Sequence, residues 1–463
     1  MMKKFLWACV GVAILVVAAV LALALWPTHT RPIAVAADSH SPALVERGRY
    51  LAQAGDCVAC HTAPGGRPFA GGLPLASPIG AMYSTNISPD RDTGIGTYTL
   101  DDFDRAVRHG IRGDGATLYP AMPYPSYARM SEDDLRALYA FFMHGVAPAP
   151  AQPHPSGIAW PLSMRWPMAL WRKAFAPKPD EVAPDPRRHA DASVARGAYL
   201  VQGLGHCGSC HTPRAWTMQE KALDESGADY LAGGPIIDGW VAVNLRGNPA
   251  DGLGAWSAAD IVATLRSARN ASHAVVGGAM NEAIVHSTQH LSDADLNAIA
   301  AYLKTLAPTA KSPSSFNADP ATAQALSKGV EATRGAELYV DNCAGCHRSD
   351  GLGYAHAFPR IAGNPTVLAR DPSSVIRLIL EGSQLPATRS APSELAMPGF
   401  AGRLSDGEVA QLATFVRRSW GNQAPAVEAE QVGTIRAAVD LERAERAAAA
   451  SFAATRTHSG DGP

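Results

Sequence analysis

The sequence predicts a mainly α protein of three tandem helical domains joined by proline-rich linkers, set behind an N-terminal membrane segment. Three observations lead there. An uncharged apolar run opens the chain. A pentapeptide of the form Cys-x-x-Cys-His occurs at residues 57–61, 207–211 and 343–347. Around each copy the same order of segments recurs, which makes the pattern a repeat and not a scatter of motifs.

The pentapeptide is the attachment signature of c-type haem. Two thiols add across the two vinyl groups of the porphyrin, and the histidine that follows ligates the iron. One copy alone would also suit a redox dithiol, or half a zinc site with a chance histidine. Three copies, each opening a similar segment, leave that alternative little room. The thioether candidates are Cys57, Cys60, Cys207, Cys210, Cys343 and Cys346, and the axial candidates are His61, His211 and His347. The expected cofactors are three covalently bound haems c. Of the seven cysteines only Cys9 lies outside the motifs, so none remain for a disulfide framework. Leu6-Trp7-Ala8 before Cys9 admits lipid attachment, but most of the apolar run follows it, which favours a small apolar residue inside a spanning helix.

A chain of 463 residues has room for about three domains. With 47% hydrophobic and 18% charged residues, each can bury a core. A formal charge of −2 implies no nucleic-acid partner. No nucleotide-binding glycine fingerprint and no zinc-type histidine pair occurs, so no substrate chemistry is expected in this chain.

In the leader, Lys3 and Lys4 precede 22 uncharged residues from Phe5 to Trp26. As a helix that run is about 33 Å long, enough to cross a bilayer and long for a signal peptide. The lysines stay on the cytoplasmic side, which puts the rest on the periplasmic side of the inner membrane. Ala34-Val35-Ala36 resembles a cleavage site, but it lies well past the apolar run, and the length favours an uncleaved anchor.

Each motif is preceded by an Arg-Gly pair and an apolar turn: Arg47-Gly48 with Tyr50 and Leu51, Arg196-Gly197 with Tyr199 and Leu200, Arg334-Gly335 with Leu338 and Tyr339. Each is followed by a helix opened by serine with an acid three residues on, at Ser131/Asp134, Ser292/Asp295 and Ser405/Glu408, in the manner of a capping box. Apolar stripes at helical spacing follow: Leu135, Leu138, Tyr139, Phe142; then Leu296, Ile299, Ala300, Leu303; then Val409, Leu412, Ala413, Val416. These stripes are core positions, expected to pack on the N-terminal helix of the same repeat where Gly48, Gly197 and Gly335 permit close approach. The first two repeats share more, with Gly71-Gly72 matching Gly233-Gly234 and Asn86 matching Asn244. The expected segments are 1–36 signal or anchor, 43–147 first domain, 148–190 Pro/Trp-rich linker, 191–307 second domain, 308–329 linker, 330–421 third domain and 422–463 Ala-rich tail. Trp160, Trp166 and Trp171 of the first linker either pack on their own domain or form a docking surface for a partner. The tail is either a helix on the body or a partner, or a solvated extension.

The second axial position decides what each iron can do. Met122, Met280 and Met397 fall 8 to 12 residues before the serine cap of the last helix in their repeats. That shared position makes them the candidate sixth ligands. Met82, Met130 and Met218 are rivals as gap-fillers or ligands. His109, His273, His286, His290 and His356 are alternatives but recur at no common place. The other ring nitrogen of each motif histidine needs an acceptor, for which the carbonyls of Pro74, Pro235 and Pro359 are the expected sources. His206, beside Cys207, is expected at the surface.

An N-terminal helix, attachment motif, loop and C-terminal helix is the order found in small cytochromes c. With Ala-Met-Pro-Tyr-Pro-Ser-Tyr at Met122, Gly-Ala-Met-Asn-Glu-Ala at Met280 and Ala-Met-Pro-Gly-Phe at Met397, the chain from about Leu44 to Trp420 resembles the tri-haem cytochrome c subunit of bacterial membrane-bound alcohol, aldehyde, gluconate or sorbitol dehydrogenases. The resemblance implies a separate catalytic subunit of quinoprotein, flavoprotein or molybdenum type, and delivery of electrons to ubiquinone or a terminal oxidase. Two other functions stay open on the residues alone: a stand-alone membrane cytochrome relay, and a multi-haem peroxidase, against which methionine at all three sixth positions argues.

Overall fold

The computed structural model describes residues 2–28, 30–33, 40–77, 79–183, 185–271, 276–309 and 316–458. Ala34-Val35-Ala36 and His273 lie outside the described residues. The chain divides into two compact units, residues 1–209 with 290–295, and residues 210–289 with 296–463. The division runs through the second repeat.

In the first unit, α1 (Met2–Leu25) is long and apolar enough to cross a membrane. Helix α2 (Pro42–Ala54) starts at Ser41, whose hydroxyl accepts from the Leu44 amide, with Pro42 at a position where no amide is needed. A two-residue ribbon, β1 (Pro74–Leu75) and β2 (Met82–Tyr83), follows the first motif. Helix α3 (Leu100–Val107) opens on a full capping box between Thr99 and Asp102. Helix α4 (Glu132–Ala140) packs against α2. A Cβ added to Gly48 would lie 1.9 Å from the Ala137 carbonyl oxygen, so only glycine permits this crossing. Leu135, Leu138 and Phe142 of the stripe are buried, worth about 1.5–3 kcal/mol each. Helix α5 (Trp166–Phe175) follows, and α6 (Ala192–Tyr199) leads toward the second motif.

The acid of the expected capping box is used differently in the first two repeats. Ser131 and Ser292 cap as anticipated, accepting from the amides of Asp134 and Asp295. The carboxylates do not return to the serine amides. Asp134 is held by Arg47 (2.6 Å) and Asp295 by both arms of the Arg196 fork (2.8 Å each). A tyrosine of the other repeat completes each cap instead. The Ser131 amide donates to the Tyr199 hydroxyl (3.2 Å), which donates to Asp134 (2.6 Å). The Ser292 amide donates to the Tyr50 hydroxyl (3.1 Å), which donates to Asp295 (2.6 Å). The exchange is reciprocal, so a single Arg-x-x-Tyr pattern both braces its own repeat and caps the other. The third repeat has Glu337 where the others have tyrosine. There Arg334 pairs with Glu337 and Glu408, and Glu408 closes an ordinary capping box with Ser405.

The second unit holds a ribbon matching the first, β3 (Ile236–Ile237) with β4 (Trp240–Val241). Helix α7 (Ala258–Ser267) opens on a capping box at Ser257 and Asp260. Helix α8 (Asp293–Thr305) begins in residues assigned to the first unit and buries Leu296, Ile299, Ala300 and Leu303. Helix α9 (Arg334–Asn342) follows, then α10 (Ser373–Glu381), a ribbon of β5 (Gly382–Gln384) and β6 (Ala396–Pro398), and α11 (Asp406–Arg418), which packs on α9. A Cβ on Gly335 would come within 2.5 Å of the Gln411 carbonyl oxygen, repeating the Gly48 crossing. The Ala-rich segment forms α12 (Ala429–His458), which lies on α10 and α11. Val432 and Val439 are fully buried, and Arg436 donates to Asp406 and to the Ala401 and Leu404 carbonyls.

Two stability predictions follow from the exchanged caps. Tyr50→Phe and Tyr199→Phe each remove a hydrogen bond to a carboxylate and the acceptor of a serine amide, at an expected cost of about 1–3 kcal/mol apiece in urea unfolding. For Asp295, burial opposes ionisation, but the bonds from Arg196 and Tyr50 outweigh it and hold the carboxyl below its usual range. Its stabilisation is therefore present above the unfolded carboxyl's pKa of about 3.9 and is lost as pH falls below it. Urea midpoints measured down the acid limb should fall less steeply in Asp295→Asn than in the parent.

Candidate functional site: three haem-attachment motifs

Each Cys-x-x-Cys-His run forms one helical turn, at Cys57–Cys60, Gly208–His211 and Ala344–His347. A helical turn brings residues three or four apart to one side; the His61 amide donates to the Cys57 carbonyl and the His347 amide to that of Cys343, so in the first and third motifs both cysteines and the next histidine belong to one turn. In the first two repeats the residue before the first cysteine is left-handed, Asp56 at φ 52° and His206 at φ 36°, which breaks the incoming helix and starts the motif turn. Before His206 the chain widens into a π-turn at Leu200–Leu204, a distortion common beside functional sites. Among the described residues no disulfide forms. Burial pushes the Cys57 and Cys343 thiols up to about 12.

All three motif histidines direct Nδ1 at a backbone carbonyl: His61 at Thr85 (2.7 Å), His211 at Val243 (2.7 Å) and His347 at Pro359 (2.9 Å). Nδ1 carries the proton in each, and Nε2 is left for a metal. Burial, outweighing the carbonyl bond, holds all three rings below their ordinary pKa and so neutral. Pro359 is the expected acceptor. Pro74 and Pro235 are not: each starts or precedes the first strand of its ribbon, and the carbonyl that meets the histidine comes just after the second strand. Thr85 and Val243 stand immediately before the matched Asn86 and Asn244, the one sequence signal that marks them. The paired glycines hold each ribbon to its motif. Gly71 donates to the His61 carbonyl and Gly233 to that of His211, and a Cβ on Gly234 would lie 1.6 Å from the Cys210 carbonyl oxygen.

Met122, Met280 and Met397 are each half-buried. Met397 lies in β6, paired with Ser383, and packs against the core of the third repeat. Of the rivals, Met130 is 2% exposed within the core and Met218 is 57% exposed, while Met82 is a strand residue of β2. The rings of His109 and His286 are engaged by Asp104 (3.4 Å) and Glu282 (3.1 Å). On both sides of Met122 stand tyrosines, Tyr119 and Tyr124, whose buried hydroxyls have no partner among the described residues. Orphaned donors of this kind suit a bound group that brings its own acceptors, as the carboxylates of a porphyrin do. The donor set, the fixed tautomers and these hydroxyls all fit covalent haem c.

Two residues beside the motifs differ from expectation or escaped it. His206 is half-buried, its ring edge-on to Tyr127 at 5.7 Å, and is not a surface residue. Tyr127 donates to the Gly55 carbonyl (2.8 Å), two residues before Cys57; nothing in its spacing marked it. Of the three tryptophans between the first two repeats, Trp171 packs edge-on against Tyr124, Trp166 is half-buried, and Trp160 is 79% exposed.

The cytochrome c family model matches residues 194–307 and 332–420. The gluconate 2-dehydrogenase cytochrome c subunit of Pantoea cypripedii is 54% identical over 407 residues, covering 87% of this chain and 92% of that one. The cytochrome c subunit of the quinone-type alcohol dehydrogenase of Gluconobacter oxydans is 51% identical, covering 84% and 81%. The fructose dehydrogenase cytochrome subunit of Gluconobacter japonicus is 38% identical, covering 89% and 85%. The chain belongs to this family, the cytochrome c subunits of bacterial gluconate, alcohol and fructose dehydrogenases. It carries covalent haem c and transfers electrons from a dehydrogenase.

The candidate sixth ligands carry a spectroscopic test. Replacing Met122, Met280 or Met397 by alanine should each remove one part of the weak methionine-to-iron charge-transfer absorption of the oxidised protein. Full strength in Met397→Ala would reject that assignment.

Proposed function

We propose that this chain is the electron-transfer subunit that takes electrons from a periplasmic dehydrogenase oxidising an alcohol, aldehyde or sugar acid, and delivers them to ubiquinone or a terminal oxidase. It does so as three tandem cytochrome c domains with three haems c, anchored in the inner membrane by α1 with its body on the periplasmic side. When bound, haem c supplies reversible one-electron chemistry at iron. Cys57/Cys60, Cys207/Cys210 and Cys343/Cys346 tether one group each. His61, His211 and His347 offer Nε2 to the metal, and the carbonyls of Thr85, Val243 and Pro359 keep each ring in the tautomer that can do so. Met122, Met280 and Met397 would offer thioether sulfurs to the iron, and such ligation would raise its potential toward values suited to an organic donor.

The observation that carries this reading is the threefold recurrence of one arrangement, a Cys-x-x-Cys-His turn whose histidine Nδ1 meets a main-chain carbonyl at 2.7–2.9 Å. The relatives' names support a partner of dehydrogenase type. That partner is a quinoprotein, flavoprotein or molybdenum enzyme, and the cofactor does the organic chemistry there.

Stopped-flow absorbance at the reduced haem band tests the reading. The isolated haem-loaded chain should stay oxidised with alcohols, aldehydes or gluconate. It should be reduced by substrate once its dehydrogenase is added, and reoxidised by a ubiquinone analogue or an oxidase. Substrate-driven reduction by the chain alone, or peroxide turnover at enzymatic rates, would contradict it.

A further inference from the structure

We propose that residues 159–175 lie in the headgroup layer of the bilayer and hold the loop bearing Met122 against the membrane surface. This rests on the membrane-anchor role given to α1. The last carbonyls of any helix lack intrahelical donors and attract cations. At the end of α1 the donor is Lys173 of α5, whose Nζ reaches the Leu23 and Trp26 carbonyls at 2.6 and 2.7 Å. Its neighbour Arg172, almost fully buried, donates to the Thr28 hydroxyl at 2.8 Å. The end of a spanning helix sits where hydrocarbon gives way to headgroups. Through these bonds α5 is fixed at that depth.

The rest of the segment has the composition of such a layer. Trp160 is 79% exposed, Leu162 57% and Phe175 36%, and Trp26 at the end of the apolar run is 67% exposed. Tryptophan is favoured at headgroup depth, where its ring is buried and its N–H stays wet. Besides the buried Arg172, the segment carries the half-buried Arg165 and the exposed Lys173 and no acidic residue, so its accessible charge complements anionic lipid phosphates. These features select a phospholipid surface as the occupant over a protein partner.

The same segment grips the first repeat. The Arg165 guanidinium lies 3.8 Å from the centre of the Tyr119 ring, and Trp171 meets Tyr124 edge-on at 6.4 Å. Tyr119 and Tyr124 bracket Met122. One stretch of chain thus binds the end of the membrane helix and both flanks of a candidate iron-ligand loop. The first repeat is thereby held where a lipid-soluble acceptor diffuses.

Photocrosslinking in the full haem-loaded chain tests this. p-Benzoylphenylalanine replaces Trp160, Leu162 or Phe175, all exposed positions, and separately Val12 in α1. Each protein is reconstituted in nanodiscs of phosphatidylcholine and phosphatidylglycerol, irradiated, and weighed intact, with and without the dehydrogenase. The expected result is a mass gain of one phospholipid at positions 160, 162 and 175 as well as at 12, persisting when the dehydrogenase is present. Lipid adducts at 12 alone would overturn the interfacial placement and leave the anchor standing. Adducts at 160, 162 and 175 with the dehydrogenase in place of lipid would overturn it in favour of protein docking. No lipid adduct at any position would remove the anchor and the interface together. Stopped-flow reduction of the same proteins keeps the relay function a separate readout.

Discussion

The constraint on which the site depends is the hydrogen bond from each motif histidine to a main-chain carbonyl. A covalent tether fixes where a porphyrin can sit, but the iron needs a neutral imidazole with Nε2 free and its plane fixed. A backbone acceptor is suited to that, since it cannot titrate or change rotamer. The chain is arranged to bring one to each ring. In the first two repeats a short ribbon carries Thr85 and Val243 past the motif, and paired glycines let that ribbon lie directly against the histidine's own backbone. In the third, Pro359 arrives from a short loop twelve residues on. Different routes lead to the same contact, which marks the contact as the feature under constraint.

A second constraint concerns how the helices flanking the first and third motifs pack. Helices α2 and α4, and likewise α9 and α11, cross at a glycine where any side chain would collide with a carbonyl. Arginine one residue earlier clamps the acid at the start of the facing helix. In the first two repeats that acid also takes a tyrosine from the other repeat, so the helix cap of one is unfinished without its neighbour. The third repeat substitutes Glu337 and closes its own cap, and its outer surface is covered by α12 instead.

These particulars show what the sequence conveys and where it stops. The serine caps, the buried stripes and the close approaches at Gly48 and Gly335 were legible, because each depends on residues a few positions apart. The acceptor for His347 was legible because it lies in a short loop at fixed spacing. Those for His61 and His211 were not, because they depend on where a two-residue ribbon turns, and such a ribbon has too little periodicity to read. The exchanged caps were invisible for a related reason: Ser131-x-x-Asp134 reads as a self-contained capping box, and only the fold shows Tyr199 in the place of the returning carboxylate. His206 read as polar and exposed because its partner, Tyr127, is remote in sequence.

The central claim is that each of the three motifs carries its own covalent haem. Mass spectrometry of the purified chain, intact and after proteolysis, tests it most directly. The account predicts an intact mass raised by three haem groups, with one haem on each of the peptides containing Cys57–Cys60, Cys207–Cys210 and Cys343–Cys346. A fully matured chain in which any of these peptides is recovered with unmodified thiols would contradict it.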